Sequence, residues 1–353
     1  MSKQKTVFVG LSGGVDSSVA ALRLKHAGYN VVGVFIKVWH PDFMVCSWEE
    51  ERLDAMRVAA SLDIPFLTCN AEAEYKTAVA DYFISEYQAG RTPNPDVMCN
   101  KEVKFGAFLK FAKANGADYI ATGHYARVEG ESGNRQLYRG VDTNKDQSYF
   151  LWTLTREQLD YCLFPVGDTP KEQIRKEAQK ANLNTAKKKD SQGICFLGHV
   201  DIPDFLSHYI DLKAGDVVNE NGKVVGKHKG VLVYTLGQRH GFEIFEADTN
   251  RKPYFVISKN LETNSLVVSH TPPISQKEDK IALKNIILRT NIKDNDLVEV
   301  QTRYRQKPFA GLITNLTNES LTILPKSQIT MTSLGQSCVL YQGDHCIGGG
   351  IIE

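Results

Sequence analysis

Along the first 125 residues of the chain, short apolar runs alternate with longer amphipathic ones. Residues 6–9, 31–37, 65–69 and 118–122 are apolar almost throughout. Strands show that pattern when both faces of their sheet are covered. Between them, 15–27, 49–61, 73–89 and 101–115 carry helical patterning. The alternation predicts an α/β fold, a parallel sheet wrapped by helices. Further on, EGESGN reads as the turn of a hairpin, and a helix is predicted over 171–182 with Pro170 at its first turn. Residues 202–210 form a short amphipathic connector. From about Val217 the period changes. KVVG, GVLVYTLGQ, PYFVISKN and SLVVSH are short alternating runs separated by Asn, Gly and Pro turns, and the same texture returns over 281–353. The expected organisation is an α/β domain over 1–200 and two small β-rich domains, 201–275 and a barrel-like 280–353, divided near HTPPISQKED.

Composition narrows this picture modestly. A chain of 353 residues supports two or three domains, and a net charge of +1 places any polyanion-binding surface in a local patch. No run approaches the roughly 18 apolar residues of a membrane span, and MSKQKTVFVG lacks a cleavage pattern, so no membrane association is expected. Cysteines stand at 46, 69, 99, 162, 195, 338 and 346, with no CxxC pair among them. This disfavours a disulfide framework or a zinc site and fits a reducing cytoplasm; no metal-ligand set is predicted.

The first chemical signal is SGGVDSS, directly after the first strand. Backbone N–H groups of a Gly-rich turn running into a helix form an anion cradle. Gly13 and Gly14 permit close approach, and Ser12, Ser17 and Ser18 add hydroxyls. The loop lacks the lysine of GxxxxGK[ST], and GxGxxG is absent, so it suits phosphate without the usual γ-phosphate machinery. Asp16 beside a bound phosphate implies an intervening cation, Mg²⁺ held mainly with the nucleotide; the alternative is an acidic residue favouring a helix N-terminus. SGGVDSS after a strand resembles the signature of the N-type ATP pyrophosphatases, the PP-loop enzymes. These cleave ATP between the α and β phosphates and adenylate an oxygen.

Two cysteines narrow the chemistry. In RTPNPDVMCNKEVKF, a stiff loop precedes a helix expected near Asn100. Cys99 would then sit at a helix N-terminus, where thiolate is favoured, with Asp96 upstream as a base or orienter. In KKKDSQGICFLGHVD, Cys195 lies between Ile194 and Phe196. Its flanks admit both a buried strand position and a reactive thiol near the cationic run 187–189.

Six ordered motifs, SGGVDSS, NPDVMCNKEVKF, ATGHYAR, KDQSYFL, DSQGICFLG and YTLGQRHG, resemble the tRNA-specific 2-thiouridylases. The resemblance implies ATP-dependent replacement of the C2 oxygen of the wobble uridine by sulfur, after adenylation of that oxygen. It implies that Cys195 carries a persulfide and that Cys99 is the partner thiol, the two ending as a disulfide to be reduced. Gly10, Leu11, Ser12, Gly13, Gly14, Val15, Asp16 and Ser17 would bind the ATP phosphates. Gly123 would approach the nucleotide, and Ile36, where many members carry methionine, would touch the adenine. Asn94, Pro95 and Asp96 would contact the target base. His124, Lys145, Asp146, Gln147, Arg303, Tyr304 and Gln336 would contact tRNA. The family's substrates are tRNAs for Lys, Glu and Gln, and its sulfur donor is a cysteine desulfurase, directly or through relay proteins.

Two basic stretches are further RNA candidates: 171–189, with seven Lys/Arg against two acidic residues, and 284–307, with six against three. Solvated faces look the same. Three other readings stay open on sequence. One is a PP-loop ligase or amidase acting on a small metabolite. Another is a non-catalytic RNA-binding protein. The third is the related group that modifies other tRNA positions, which often carries CxxC sites.

Overall fold

The computed structural model describes residues 4–44, 48–189, 201–245, 252–276 and 279–353. The first sheet contains β1 (Thr6–Gly10), β2 (Asn30–Lys37), β3 (Phe66–Asn70), β4 (Tyr119–Ala121) and, after an intervening hairpin of β5 (Ala126–Glu129) and β6 (Gln136–Arg139), β7 (Cys162–Leu163). Its order is β3-β2-β1-β4-β7, every pair parallel. Side chains alternate along a strand. Val7 and Val9 therefore enter one core with α1 (Val15–His26) and α2 (Trp48–Ser61), while Phe8 enters the other with Phe105 and Phe108.

Two elements depart from the sequence reading. The helix expected from 101 begins at Pro95, running Pro95–Met98, then Cys99–Ala107 as a π-helix, then Phe108–Ala114. Asn94 caps it by accepting the Val97 N–H at 3.2 Å, and Pro95 occupies the first turn, where its missing N–H costs nothing. Cys99 therefore lies one turn inside the helix, its N–H donating to the backbone carbonyls of Pro95 and Asp96.

The second departure is the hairpin. Sequence assigned it to the α/β domain alone, but β6 pairs with a strand at the far end of the chain. The central sheet holds β8 (Gly215–Asn219), β9 (Val224–His228), β10 (Glu243–Ile244), β11 (Phe255–Asn260) and β12 (Ser265–Ser269), in the order β10-β9-β8-β12-β11. The last sheet holds β13 (Ile281–Leu288), β14 (Leu297–Gln301), β15 (Phe309–Thr314), β16 (Ser320–Pro325), β17 (Ser337–Gln342) and β18 (His345–Ile352). Pairing of β13 with both β16 and β18 closes these strands into a barrel. The β5–β6 hairpin extends the barrel sheet through His345↔Tyr138 and Cys346↔Leu137.

Barrel and first domain are also joined inside. The fully buried Arg289 guanidinium donates to the carbonyls of Trp152, Leu154 and Cys346, each at 2.7 Å. The same guanidinium also donates to Cys346 Sγ at 3.1 Å, and burial lowers its pKa. Among the described residues no helix is long and apolar enough to cross a membrane.

Candidate active site

The nucleotide-type loop leaves β1 at the carboxyl edge of the parallel sheet, where open α/β sheets bind ligands. Gly13 takes φ +69°, which glycine alone adopts without strain. No side chain caps α1, so its first turn presents the orphan N–H groups of a helix start. The hydroxyls order the loop from inside: Ser17 Oγ donates to Gly14 O at 3.1 Å, and Ser18 Oγ donates to the same oxygen at 2.7 Å. Ser12 N donates to Ser17 Oγ at 3.3 Å. Gly123 lies against the backbone of Asp16 and Ser17, where a Cβ would come within 2.6 Å of Ser17 N. Ile36, at the end of β2, sits near Gly10 and packs against the core that contains Cys99.

Asp16, the carboxylate of the loop, has a cation of the chain itself beside it. Lys171 Nζ lies 2.7 Å from both of its carboxylate oxygens, and Tyr125 OH donates to Oδ1 at 2.7 Å. The cation that compensates Asp16 is a largely buried lysine. Sequence reasoning missed Lys171 because it stands in a lysine-rich stretch that resembles a solvated face. Pro170 before it marks a helix start, and the side chain turns inward from that start.

The loop and helix start around Asn94 form a second group. Cys99 and Asn100 are buried, and Asn100 Nδ2 donates to Phe150 O at 3.1 Å. Asn94 hydrogen bonds Tyr149, whose hydroxyl also donates to Ser337 O at 3.0 Å. Tyr304 packs on Phe150 with ring centroids 4.4 Å apart. Gln336 Nε2 donates to Thr92 O at 2.8 Å, and Thr92 Oγ1 lies 3.1 Å from Thr235 Oγ1 of the central domain. All three parts of the chain therefore meet at Thr92, two residues before Asn94.

One segment joins the two groups. Gln147 exchanges hydrogen bonds with the Tyr125 backbone, its Oε1 accepting from Tyr125 N at 2.9 Å and its N donating to Tyr125 O at 2.8 Å. Tyr125 in turn holds Asp16. Three residues after Gln147, Phe150 holds Asn100. KDQSYF thus runs from the phosphate loop to the residue beside Cys99. Within it Asp146 is buried, its carboxylate accepting from Gly140 N, Ser148 N, Ser148 Oγ and Arg139. Lys145 N closes a turn onto Asp142 O.

Other predicted contacts have internal partners. His124 is buried between Phe105 and Phe164, with Nδ1 at 2.7 Å from Thr122 Oγ1. Burial, aided by Lys104, holds its pKa well below the ordinary value, so it is a neutral ring. Arg303 Nη2 donates to Leu236 O at 2.8 Å and Met331 O at 3.2 Å, and burial lowers its pKa. Several residues of the basic stretches also have partners within the chain. Lys176 pairs with Glu172, Lys188 with Asp54 and Lys284 with Glu353, while Arg175 donates to Ala186 O and Lys188 O. Cys195 lies outside the described residues. Among the described residues no group of three or more His, Cys, Asp or Glu is placed to hold a metal ion.

Three family models match consecutive parts of the chain: the tRNA methyl transferase HUP domain over 5–199, the tRNA methyl transferase PRC-barrel domain over 203–270, and the aminomethyltransferase beta-barrel domain over 279–352. The chain is 46% identical to the tRNA-specific 2-thiouridylase MnmA of Proteus mirabilis (strain HI4320), over 100% of this chain and 98% of that protein. It is 44% identical to the protein of that name from Bacillus velezensis, over 98% of this chain and 94% of that protein.

Proposed function

The chain belongs to the tRNA-specific 2-thiouridylase family, and we propose that it thiolates the wobble uridine of tRNAs for Lys, Glu and Gln at the expense of ATP. The observation that carries this reading is the bridge just described, in which one segment ties a phosphate-type loop to the neighbour of a buried cysteine. Adenylation and sulfur transfer must act on the same carbon, so their two centres have to be held in register.

In this reading the orphan N–H groups of α1 and the loop from Gly10 to Ser17 bind the ATP phosphates, with Gly123 and Ile36 at the nucleotide. Mg²⁺ arrives with the phosphates, and Lys171 supplies the fixed positive charge beside Asp16. The uridine leaves its stack to reach a cleft lined by Asn94, Pro95 and Asp96. Its C2 oxygen attacks the α-phosphorus and pyrophosphate departs. The outer sulfur of a Cys195 persulfide then attacks C2 and displaces AMP, leaving the uridine joined to Cys195 through an S–S bond. Cys99 thiolate attacks the Cys195 sulfur and breaks that bond, which releases 2-thiouridine and leaves a Cys99–Cys195 disulfide for two external thiol equivalents to reduce. Asp96 assists proton transfer. The sulfur comes from a cysteine desulfurase or a relay protein. The methyl transfer named in two of the family-model descriptions leaves Cys99 and the pyrophosphate-type loop without a task.

The test is thiolation of unmodified tRNA by the purified protein with ATP, Mg²⁺ and a sulfur source, read by mass spectrometry of digested tRNA. Wild type should form 2-thiouridine. Cys99→Ala and Cys195→Ala should form none while still releasing pyrophosphate in the presence of tRNA. Full activity in both variants overturns the cysteine roles. Pyrophosphate release with a small metabolite, and none with tRNA, replaces the reading by that of a ligase.

A further inference from the structure

The motif YTLGQRHG has no role in the chemistry above, yet its eight residues form a tightly specified turn. Tyr234 is buried and its hydroxyl donates to Gly241 O, closing the turn end to end. Thr235 N donates to Gln238 Oε1 at 3.1 Å, and Gln238 Nε2 donates to His240 O at 2.8 Å. Gly237 and Gly241 take φ +80° and +91°. Gly237 N donates to Val256 O at 2.7 Å, pinning the turn to β11.

The two residues before Gly237 join the turn to the candidate site and to the barrel. Thr235 meets Thr92, and Leu236 O accepts from Arg303. The Arg303 guanidinium lies so close over Gly237 that a Cβ there would sit 3.2 Å from Nη1. Arg303 is therefore occupied in shaping the turn. The next cation along the chain is Arg239. It is exposed, its guanidinium lies 5.9 Å from the Phe255 ring centroid, and among the described residues no carboxylate pairs with it. His240 beside it is exposed as well.

We propose that this turn is a grip for the RNA backbone, with Arg239 contacting a phosphate of the strand that delivers the uridine to the Asn94 loop. The inference rests on the tRNA reading above and adds a site to it. Three features favour a phosphate. The cation has no carboxylate partner among the described residues and stands on a turn closed by its own hydrogen bonds. Thr235 of the same turn lies 3.1 Å from Thr92 through their hydroxyls, so a strand approaching the Asn94 loop passes near the turn. Several cations of the two basic stretches already have protein partners, Lys171 with Asp16, Lys176 with Glu172, Lys188 with Asp54 and Lys284 with Glu353.

The experiment measures tRNA affinity of the full chain across a salt series. It compares wild type, Arg239→Gln, Arg239→Lys and Lys5→Gln. Lys5 precedes β1, at the opposite end of the strand from the phosphate loop, and controls for loss of one charge. Arg239→Gln should weaken binding about tenfold at low salt and reduce the slope of log K against log salt by about one phosphate contact. Arg239→Lys should keep the slope, and Lys5→Gln should match wild type. If wild type binds and Arg239→Gln has the same affinity and slope, the proposal is wrong. It is equally wrong if Arg239→Gln changes only thiolation fed by a protein sulfur donor, which would make the turn a protein contact. Failure of wild type to bind tRNA overturns the reading beneath it, and this proposal with it.

Discussion

Gln336, in the loop leading into the last hairpin of the barrel, donates its side-chain amide to the backbone carbonyl of Thr92, in the loop that carries Asn94, Asp96 and Cys99. The same loop donates back, from Thr92 N to Leu334 O at 2.8 Å. The C-terminal domain thus braces the loop that carries Asn94 and Asp96. Gln336→Ala removes the neutral hydrogen bonds to Thr92 O and, more weakly, Pro93 O, together worth about 1 kcal/mol. Single-turnover thiolation at saturating tRNA should fall roughly fivefold, with ATP affinity unchanged. A variant that loses tRNA affinity alone and keeps its single-turnover rate would place Gln336 on the RNA and not on the loop.

Lys171 and Asp16 form the best-defined ion pair at the phosphate loop. Replacing this buried lysine by Met leaves the Asp16 carboxylate with the Tyr125 hydroxyl but no cation, next to the phosphates it would then repel. Lys171→Met should weaken ATP binding at least tenfold and abolish most tRNA-dependent pyrophosphate release. The double variant Lys171→Met with Asp16→Asn should recover part of the ATP affinity, because the uncompensated charge is gone. Isothermal titration with ATP decides this. An unchanged affinity in the single variant removes Lys171 from the nucleotide site.

The parallel sheet was legible in the sequence because fully buried strands read as unbroken apolar runs. The 31–37 run became Asn30–Lys37 with little shift. The helix at Asn94 was misplaced because Asn-Pro-Asp was taken as a rigid loop, although Asn before Pro is also a cap followed by a first-turn residue. Pairing of the 126–139 hairpin with the barrel was not legible at all, since nothing local in LYR encodes a partner at Cys346. In the site, SGGVDSS announced itself by backbone chemistry, whereas Lys171 acts across 155 residues of sequence and reads locally as one more surface lysine. His124 was named as an RNA contact from its motif. In the structure His124 is buried and its pKa is lowered, a burial that the motif does not encode.

The run Gly348, Gly349 and Gly350 in β18 is a packing device between barrel and first domain. A Cβ at Gly349 would lie 2.5 Å from Cys338 O and 3.1 Å from the Trp152 ring. Backbone on one side and a fully buried indole on the other leave no room to adjust. Gly349→Val should destabilise the chain by about 2–4 kcal/mol through overpacking and strand displacement. Gly343→Ala, at a turn where a Cβ meets nothing within 4 Å but φ is +60°, should cost only about 1 kcal/mol. Urea unfolding of the two variants gives the ranking, and the reverse order would contradict the packing argument.

Lys259 supplies a pH dependence at the junction of the first and central domains. Its Nζ donates to Gly90 O at 2.9 Å, and burial pushes its pKa down from 10.5 to about 8. The folded chain therefore releases this proton more readily than the unfolded chain does. Between about pH 8 and 10.5 the unfolded state binds more of this proton, so the contribution to stability rises with pH across that window. It is lowest and flat below the folded value. Many other groups titrate in this range, so the useful quantity is the difference between wild type and Lys259→Met. Urea melts at pH 7, 8, 9 and 10 should show wild type gaining on the variant as pH rises, with most of the gain above pH 8. Parallel curves would mean that the ammonium is as well solvated in the folded chain as in the unfolded one, and the bond to Gly90 would then be an ordinary surface contact.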